Sequence, residues 1–466
     1  MEEETEKKKK KMGRRCHCLV LAYPLQGHIN PMLQFSKLLQ HQGFRITLVT
    51  TRFYYNNLKT LPPSIAVETI SDGFDLGPPP PHHAATHKAF IDRSREVGSQ
   101  SFAQLLQKLG TSKDDDDDER VDCVVYDSFF PWALDVAKRF EIVAAVFLTQ
   151  NMAVNSIYYH VHMGNLRLPL TQHQFSLPAL PKLELQDMPS FLLTYVQHPY
   201  YLDFFVDQFS NIDKADWVLC NTFYELDKEV ADWTTKILPK FRSIGPNIPS
   251  MFLDKKHKDD QDYGAAEFDS EECLEWLDGK PKGSVVYVSF GSLAMVGGGQ
   301  MEELAYGLKE CSSYFLWVVR ASEETKLPKD FEKKSEKGLV VTWCSQLRVL
   351  GHEAVACFVT HCGWNSILEA LCLGVPTIAI PHWSDQATNA KLVADVWKIG
   401  IRACVDEKKI VQRETLKHCI RKVMESEEGR VMKSNVIQWK SLALRAISEG
   451  GSSYQSVLEF ANTFFH

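Results

Sequence analysis

The sequence predicts an α/β protein made of two Rossmann-like domains facing across a cleft. Three observations carry this. Apolar strand-like runs alternate with amphipathic stretches in both halves, a charged, proline-bearing segment without apolar period separates them, and 466 residues exceed what one hydrophobic core usually serves. The predicted division is residues 1–245 for a first domain, 246–275 for a linker, 276–448 for a second domain and 449–466 for a closing C-terminal stretch.

In the first half, "CHCLVLAYP" reads as a strand, "PMLQFSKLLQHQ" as a helix ended by Gly43, and "RITLVTT" as the next strand. "VDCVVYD", "PWALDVAKRF" and "VAAVFLT" repeat the unit, and strands so continuously apolar suit a parallel sheet covered on both faces. Asn30 is placed as a helix N-cap and Pro31 as the first helical residue, which puts His28 in a loop before the helix. The proline run Pro78–Pro81 and the aspartate run Asp114–Asp118 read as surface loops. The linker is "IGPNIPSMFLDKKHKDDQDYGAAEFDSEE". Beyond it "GSVVYVSFGS", "YFLWVVR", "KGLVVTW", "ACFVTHCG", "VPTIAIP" and "IGIRACV" read as six strands.

Composition narrows the function. With 52 Lys plus Arg against 59 Asp plus Glu, no basic surplus points to nucleic acid or an anionic membrane, so any charge for an acidic ligand must be local. No apolar run reaches bilayer length, and "MEEETEKKKKKMGRR" lacks the apolar core of a secretion signal, so a cytoplasmic protein is predicted. The run Lys7–Lys11 is read as a solvated tail rather than a nuclear address. The twelve cysteines are scattered through apolar strands, which suggests buried, reduced thiols.

His28 and Asp127 are the candidate pair in the first domain. Each follows or closes a strand, at the carboxyl edge where open α/β sheets bind ligands. A carboxylate beside an imidazole fixes its tautomer and supports general-base chemistry on an alcohol, carboxylic acid or thiol. The competing reading is a surface or capping histidine and a turn aspartate.

The second domain concentrates its candidates between Trp343 and Gln386, in "WCSQLRVLGHEAVACFVTHCGWNSILEALCLGVPTIAIPHWSDQ". "ACFVTHCGWNSILEAL" runs from strand through a glycine turn into a helix with Asn365 or Ser366 as N-cap, a natural site for a diphosphate. His361, Asn365 and Ser366 add donors, and Ser292 after "VSFG" reaches the same place. Glu369 is either the second half of a capping box with Ser366 or an acceptor for ribose hydroxyls. Asp385 and Gln386 either cap the next helix or read sugar hydroxyls, and Trp343 is either core or a stacking platform for a base.

The Cys and His residues here match no CxxC or HExxH spacing, so no metal site is predicted. Neither G-x-G-x-x-G after a first strand nor a P-loop is present, which weighs against a nucleotide-sugar oxidoreductase or epimerase. A sugar-nucleotide binding protein without turnover is the other alternative, and the presence of both His28 and Asp127 argues against it.

The segment from Trp343 to Gln386, with "WCSQ", "HCGWNS", Glu369 and "HWSDQ", resembles the plant secondary product glycosyltransferase box of family 1 UDP-glycosyltransferases. Similarity extends through "GHINPMLQ", "VVYDSFFPW", "TQNMAVNSIYYH" and "VSFGS", and is strongest to plant family 74 enzymes. The resemblance implies a GT-B fold with an acceptor domain, a donor domain and a last helix crossing back to the first. It implies Trp343 stacking on uracil, Gln346 and Glu369 on ribose, and His361, Asn365, Ser366 and Ser292 on the diphosphate. Trp364, Asp385 and Gln386 fall on sugar-recognising positions, His28 on the base and Asp127 on its orienting acid. The implied reaction is inverting transfer from UDP-glucose, without a metal or other cofactor, to a hydroxyl or carboxyl of a lipophilic small molecule such as a terpenoid, steroid or phenolic, by a monomer. The aromatic stretches "SIYYH" and "YYLDFFVDQF" are candidates for that acceptor's pocket, or for helix core.

Overall fold

A computed structural model describes residues 15–58, 64–77, 84–110, 120–256, 260, 263 and 271–465. The runs Lys7–Lys11, Pro78–Pro81 and Asp114–Asp118 lie outside the described residues.

The first sheet contains β1 (His17–Leu21), β2 (Arg45–Thr51), β3 (Ala66–Ile70), β4 (Cys123–Asp127) and β5 (Val143–Leu148). After a two-residue antiparallel pair, β6 (Gln174–Phe175) with β7 (Leu183–Glu184), it is completed by β8 (Trp217–Cys220) and β9 (Phe241–Ser243). Its order is β3-β2-β1-β4-β5-β8-β9, all parallel. Alternate residues of β1 serve opposite faces, Leu19 and Leu21 one core and Cys18 and Val20 the other, as expected for a strand buried on both sides. β8 and β9 escape the sequence reading because they are short, and β3, as long as β1, because it is only partly buried and carries Glu68 and Thr69.

The second sheet repeats the plan with β10 (Val285–Ser289), β11 (Tyr314–Val318), β12 (Gly338–Val341), β13 (Val355–Thr360), β14 (Thr377–Ala379) and β15 (Gly400–Arg402). These are the six strands expected beyond the linker, in the order β12-β11-β10-β13-β14-β15. In each sheet the strand order reverses direction beside the first strand, between β1 and β4 and between β10 and β13, and a crevice opens at that switch point.

One apolar cluster joins the halves: Ala153, Phe223, Leu226, Ile248 and Tyr263 pack with Leu347, Trp364, Ile367 and Trp397. Polar contacts add to it. Asp187 is buried between Arg402 at 2.8 Å and Lys391 at 3.6 Å, and Thr388 Oγ1 donates to the Asp187 carbonyl at 2.6 Å. The last helix, Ser452–Asn462, places Val457, Phe460 and Ala461 in the first domain's core with Phe35, Phe44 and Trp217. All twelve cysteines are free, and only Cys404 is exposed.

Candidate active site

His28 and Asp127 are 99 residues apart, yet neighbouring strands bring them together. β4 pairs with β1 through Leu21↔Tyr126, so the residue ending β4 lies beside the turn leaving β1. The helix starts earlier than the sequence suggests. It spans Gln26–His41 with Leu25 as N-cap, so His28 stands in its first turn and Asn30 and Pro31 lie inside it. The cap preference of Asn and the N1 preference of Pro were outweighed because the His28 and Ile29 amides already bond the Leu25 carbonyl, both at 2.9 Å.

His28 Nδ1 lies 2.7 Å from Asp127 Oδ2, and Asp127 is wholly buried while the imidazole keeps 13% exposure. The Phe129 amide donates to the other carboxylate oxygen at 3.0 Å, which fixes the acid's rotation. Thr149 Oγ1 lies 3.2 Å from the same Nδ1. With Nδ1 engaged, Nε2 is the nitrogen left to a ligand in the cleft that His28 lines. Tyr23 and Phe129 flank the ring at centroid distances of 5.4 and 4.7 Å.

The cleft is a cavity of about 610 Å³ walled by both domains. Every residue singled out in the second domain, Ser292, Trp343, Gln346, His361, Trp364, Asn365, Ser366, Glu369, Asp385 and Gln386, lines it. The helix after β13 spans Trp364–Leu373 and is capped by Gly363, with no side-chain cap, so neither Asn365 nor Ser366 is its N-cap. Of the two readings of Glu369, the capping box with Ser366 is therefore absent. Ser366 Oγ accepts from Gln346 Nε2 at 2.9 Å, and Glu369 Oε2 accepts from the same nitrogen at 2.7 Å. Tyr287 OH completes the amide by donating to Gln346 Oε1 at 3.3 Å.

His361 is gripped by two glycines. A Cβ at Gly291, whose φ is +71°, would fall 2.7 Å from its Cε1, and one at Gly363 would fall 2.6 Å from its Nε2. Desolvation, aided by His382, pulls the His361 imidazole down to about 3, so it is neutral near pH 7. Asp385 is pushed up to about 6 by burial, partly offset by Asn389 and by His28 across the cleft. Its Oδ2 accepts from Asn389 Nδ2 at 2.7 Å. Gln386 Oε1 accepts from the amides of His382 and Trp383 at 2.8 and 3.1 Å, which locks that side chain. Trp364 borders the cleft, but its indole N–H donates to the Asn221 carbonyl at 2.8 Å and its ring lies 6.1 Å from Trp397, so the side chain joins the domains.

Two lining residues were missed from sequence. Arg320 ends β11's run and donates through both terminal nitrogens to the Ser292 and Ala294 carbonyls, bracing the loop after β10. Among the described lining residues it is the sole Lys or Arg, and a charge at a strand end was the available signal. Tyr263 comes from the segment predicted as a linker. Its OH donates to Glu369 Oε1 at 3.0 Å, and nothing in a segment without apolar period announces that role. On the first-domain side, Phe129 meets Phe204 at 4.7 Å and Phe205 at 5.0 Å, and Phe191 meets Phe205 at 4.8 Å and Trp383 at 5.8 Å. "YYLDFF" thus reaches the cleft, whereas Tyr158 and Tyr159 of "SIYYH" pack into helix core. Among the described residues, no group of three His, Cys, Asp or Glu is placed to hold a metal, and no helix is long and apolar enough to cross a membrane.

Known proteins share this arrangement. Residues 114–443 match the family model described as UDP-glucoronosyl and UDP-glucosyl transferase. Mogroside I-E synthase of Siraitia grosvenorii is 44% identical over 95% of this chain and 97% of its own. The flavonol 7-O-beta-glucosyltransferase UGT74F1 of Arabidopsis thaliana is 43% identical over 96% and 98%. Among solved structures, Os79 from O. sativa in complex with UDP superposes with a TM-score of 0.87 at 35% identity, covering 96% of this chain and 99% of that one. The two reversing parallel sheets, the cleft between them and these full-length likenesses make the chain a member of the UDP-glycosyltransferase family, with plant family 74 enzymes among its relatives.

Proposed function

We propose that this UDP-glycosyltransferase moves glucose from UDP-glucose to a hydroxyl or carboxyl of a lipophilic plant small molecule, with inversion at the anomeric carbon. The observation that carries the reading is the His28–Asp127 pair, held at 2.7 Å in the same cleft that the second-domain cluster lines. Asp127 holds the Nδ1 proton, so His28 Nε2 takes the acceptor's proton as the acceptor oxygen bonds to the anomeric carbon and the bond to UDP breaks. The bonding electrons leave with UDP, and displacement from the opposite face converts an α-linked donor to a β-glucoside.

In this reading Trp343 stacks on the uracil and Glu369, oriented by Gln346, accepts from the ribose. His361, Asn365, Ser366 and Ser292 receive the diphosphate, with the amino end of the helix Trp364–Leu373 and the Arg320 charge supplying the local positive potential. The reading needs no metal, because those donors serve the leaving group. Asp385 and Gln386 face the sugar; with Gln386 Oε1 committed to the two backbone amides, its NH2 is the part available to a hydroxyl. Trp364 contributes by shaping the wall. The aromatic group Phe129, Phe204, Phe205, Phe191 and Trp383 supplies an apolar bed beside the base, suited to a terpenoid, steroid or phenolic skeleton.

The test is a panel of such aglycones with UDP-glucose, read by mass analysis of products, for the native protein and for His28→Ala. Glucosides from the native protein and their near-complete loss in the variant, with UDP affinity retained, are expected. Undiminished turnover by the variant removes the base assignment.

A further inference from the structure

Pro31 lies inside the helix Gln26–His41, where a proline has no N–H to give the carbonyl four residues back. That carbonyl is Gly27, the residue before His28. It is satisfied from the other domain, because Asn365 Nδ2 donates to Gly27 O at 2.7 Å. The orientation of the amide follows from chemistry, since only its NH2 can face a carbonyl oxygen. Asn365 stands in the first turn of the helix Trp364–Leu373, next to His361 and Ser366 in the cleft wall.

We infer that Pro31 and Asn365 form a cross-cleft register that positions His28. Pro31 leaves the Gly27 carbonyl free of the helix, and Asn365 uses that oxygen to tie the base's own turn to the helix that faces the leaving group. Both ends of the reaction are then set by one hydrogen bond, whose loss shifts the base relative to the anomeric carbon without altering either element's fold. The inference rests on the roles proposed for His28 and for the donor helix. It makes Pro31 a positioning residue, 3 positions from the base along the chain, that touches neither substrate.

The decisive variant is Pro31→Ala, which restores a backbone N–H aimed at the Gly27 carbonyl and draws that oxygen back along the helix axis, away from the tilt that meets Asn365. Ala is the better helix former, so the thermal midpoint is expected to stay level or rise. The dissociation constant for UDP is expected to stay within about twofold while kcat falls about tenfold, the effect of one misplaced hydrogen bond at a reacting centre. A cycle with Asn365→Ala supplies the second reading. If the register exists, Asn365→Ala lowers kcat by a smaller factor in the Pro31→Ala background than in the native protein. Equal factors in both backgrounds, or native kcat in Pro31→Ala, overturn the register. Failure of the catalytic reading itself has a different signature, namely undiminished turnover in His28→Ala.

Discussion

Replacing Asp127 by Asn tests the base through its proton. The buried carboxylate accepts twice, from His28 Nδ1 at 2.7 Å and from the Phe129 amide at 3.0 Å. An amide has one accepting oxygen, so the two partners compete for it. If the oxygen turned to His28, the new NH2 would face the Phe129 N–H, two donors opposed in a buried site at a cost of about 1–3 kcal/mol. The oxygen therefore stays with Phe129, and the NH2 donates to Nδ1. That forces the imidazole proton onto Nε2, the nitrogen proposed to accept.

The expected loss is the whole contribution of the proposed general base, on the order of 10²–10⁴ in rate, or roughly 3–5 kcal/mol. UDP affinity is expected to remain within about twofold, since Asp127 lies in the other domain. A matched pair of acceptors sharpens the result. A carboxylic acid, with an ordinary pKa near ~4, is already ionised at neutral pH and is expected to lose less than about tenfold, whereas the alcohol on the same skeleton is expected to lose about a thousandfold. Initial rates for both, with calorimetric UDP titration, make the measurement. Equal losses for the two acceptors, or an alcohol loss below about tenfold, would refute the tautomer argument.

Three further outcomes are expected. Burial raises Asp385 from 3.8 to about 6, so its folded-state contribution is full below 3.8 and is lost as pH rises through about 6. In the proposed reading the ionised form is the acceptor for sugar hydroxyls, so the extra affinity of UDP-glucose over UDP should grow through that window and flatten in Asp385→Asn; calorimetry showing a flat difference in the native protein counts against the assignment. Tyr263→Phe removes the donor on Glu369 Oε1 and should weaken UDP binding by about fivefold, near 1 kcal/mol, in the same titration; unchanged affinity would make the tyrosine a packing residue only. Phe460→Ala empties a fully buried site among Phe35, Phe44 and Trp217 and should lower unfolding stability by about 3–5 kcal/mol in urea; a loss under about 1 kcal/mol would show that the last helix does not complete that core.

The sequence by itself determined the α/β rhythm, all six strands of the second sheet and the motif-borne cleft residues, because apolar period and strand-end glycines are local signals. It misplaced the start of the helix at Gln26, where cap statistics for Asn30 and Pro31 yielded to the bonds made by Leu25, and the cap of the helix at Trp364, where Gly363 took the place of a side chain. Only the tertiary structure decided how side chains are shared between partners. Glu369 chose Gln346 and Tyr263 over a capping box, Trp364 turned its N–H to Asn221, and Asn365 met the carbonyl that Pro31 had left open. Such choices depend on groups from 23 to 338 residues apart competing for the same few donors and acceptors, and proximity of that kind exists only once the chain has folded and, for Trp364 and Asn365, once the two sheets have docked.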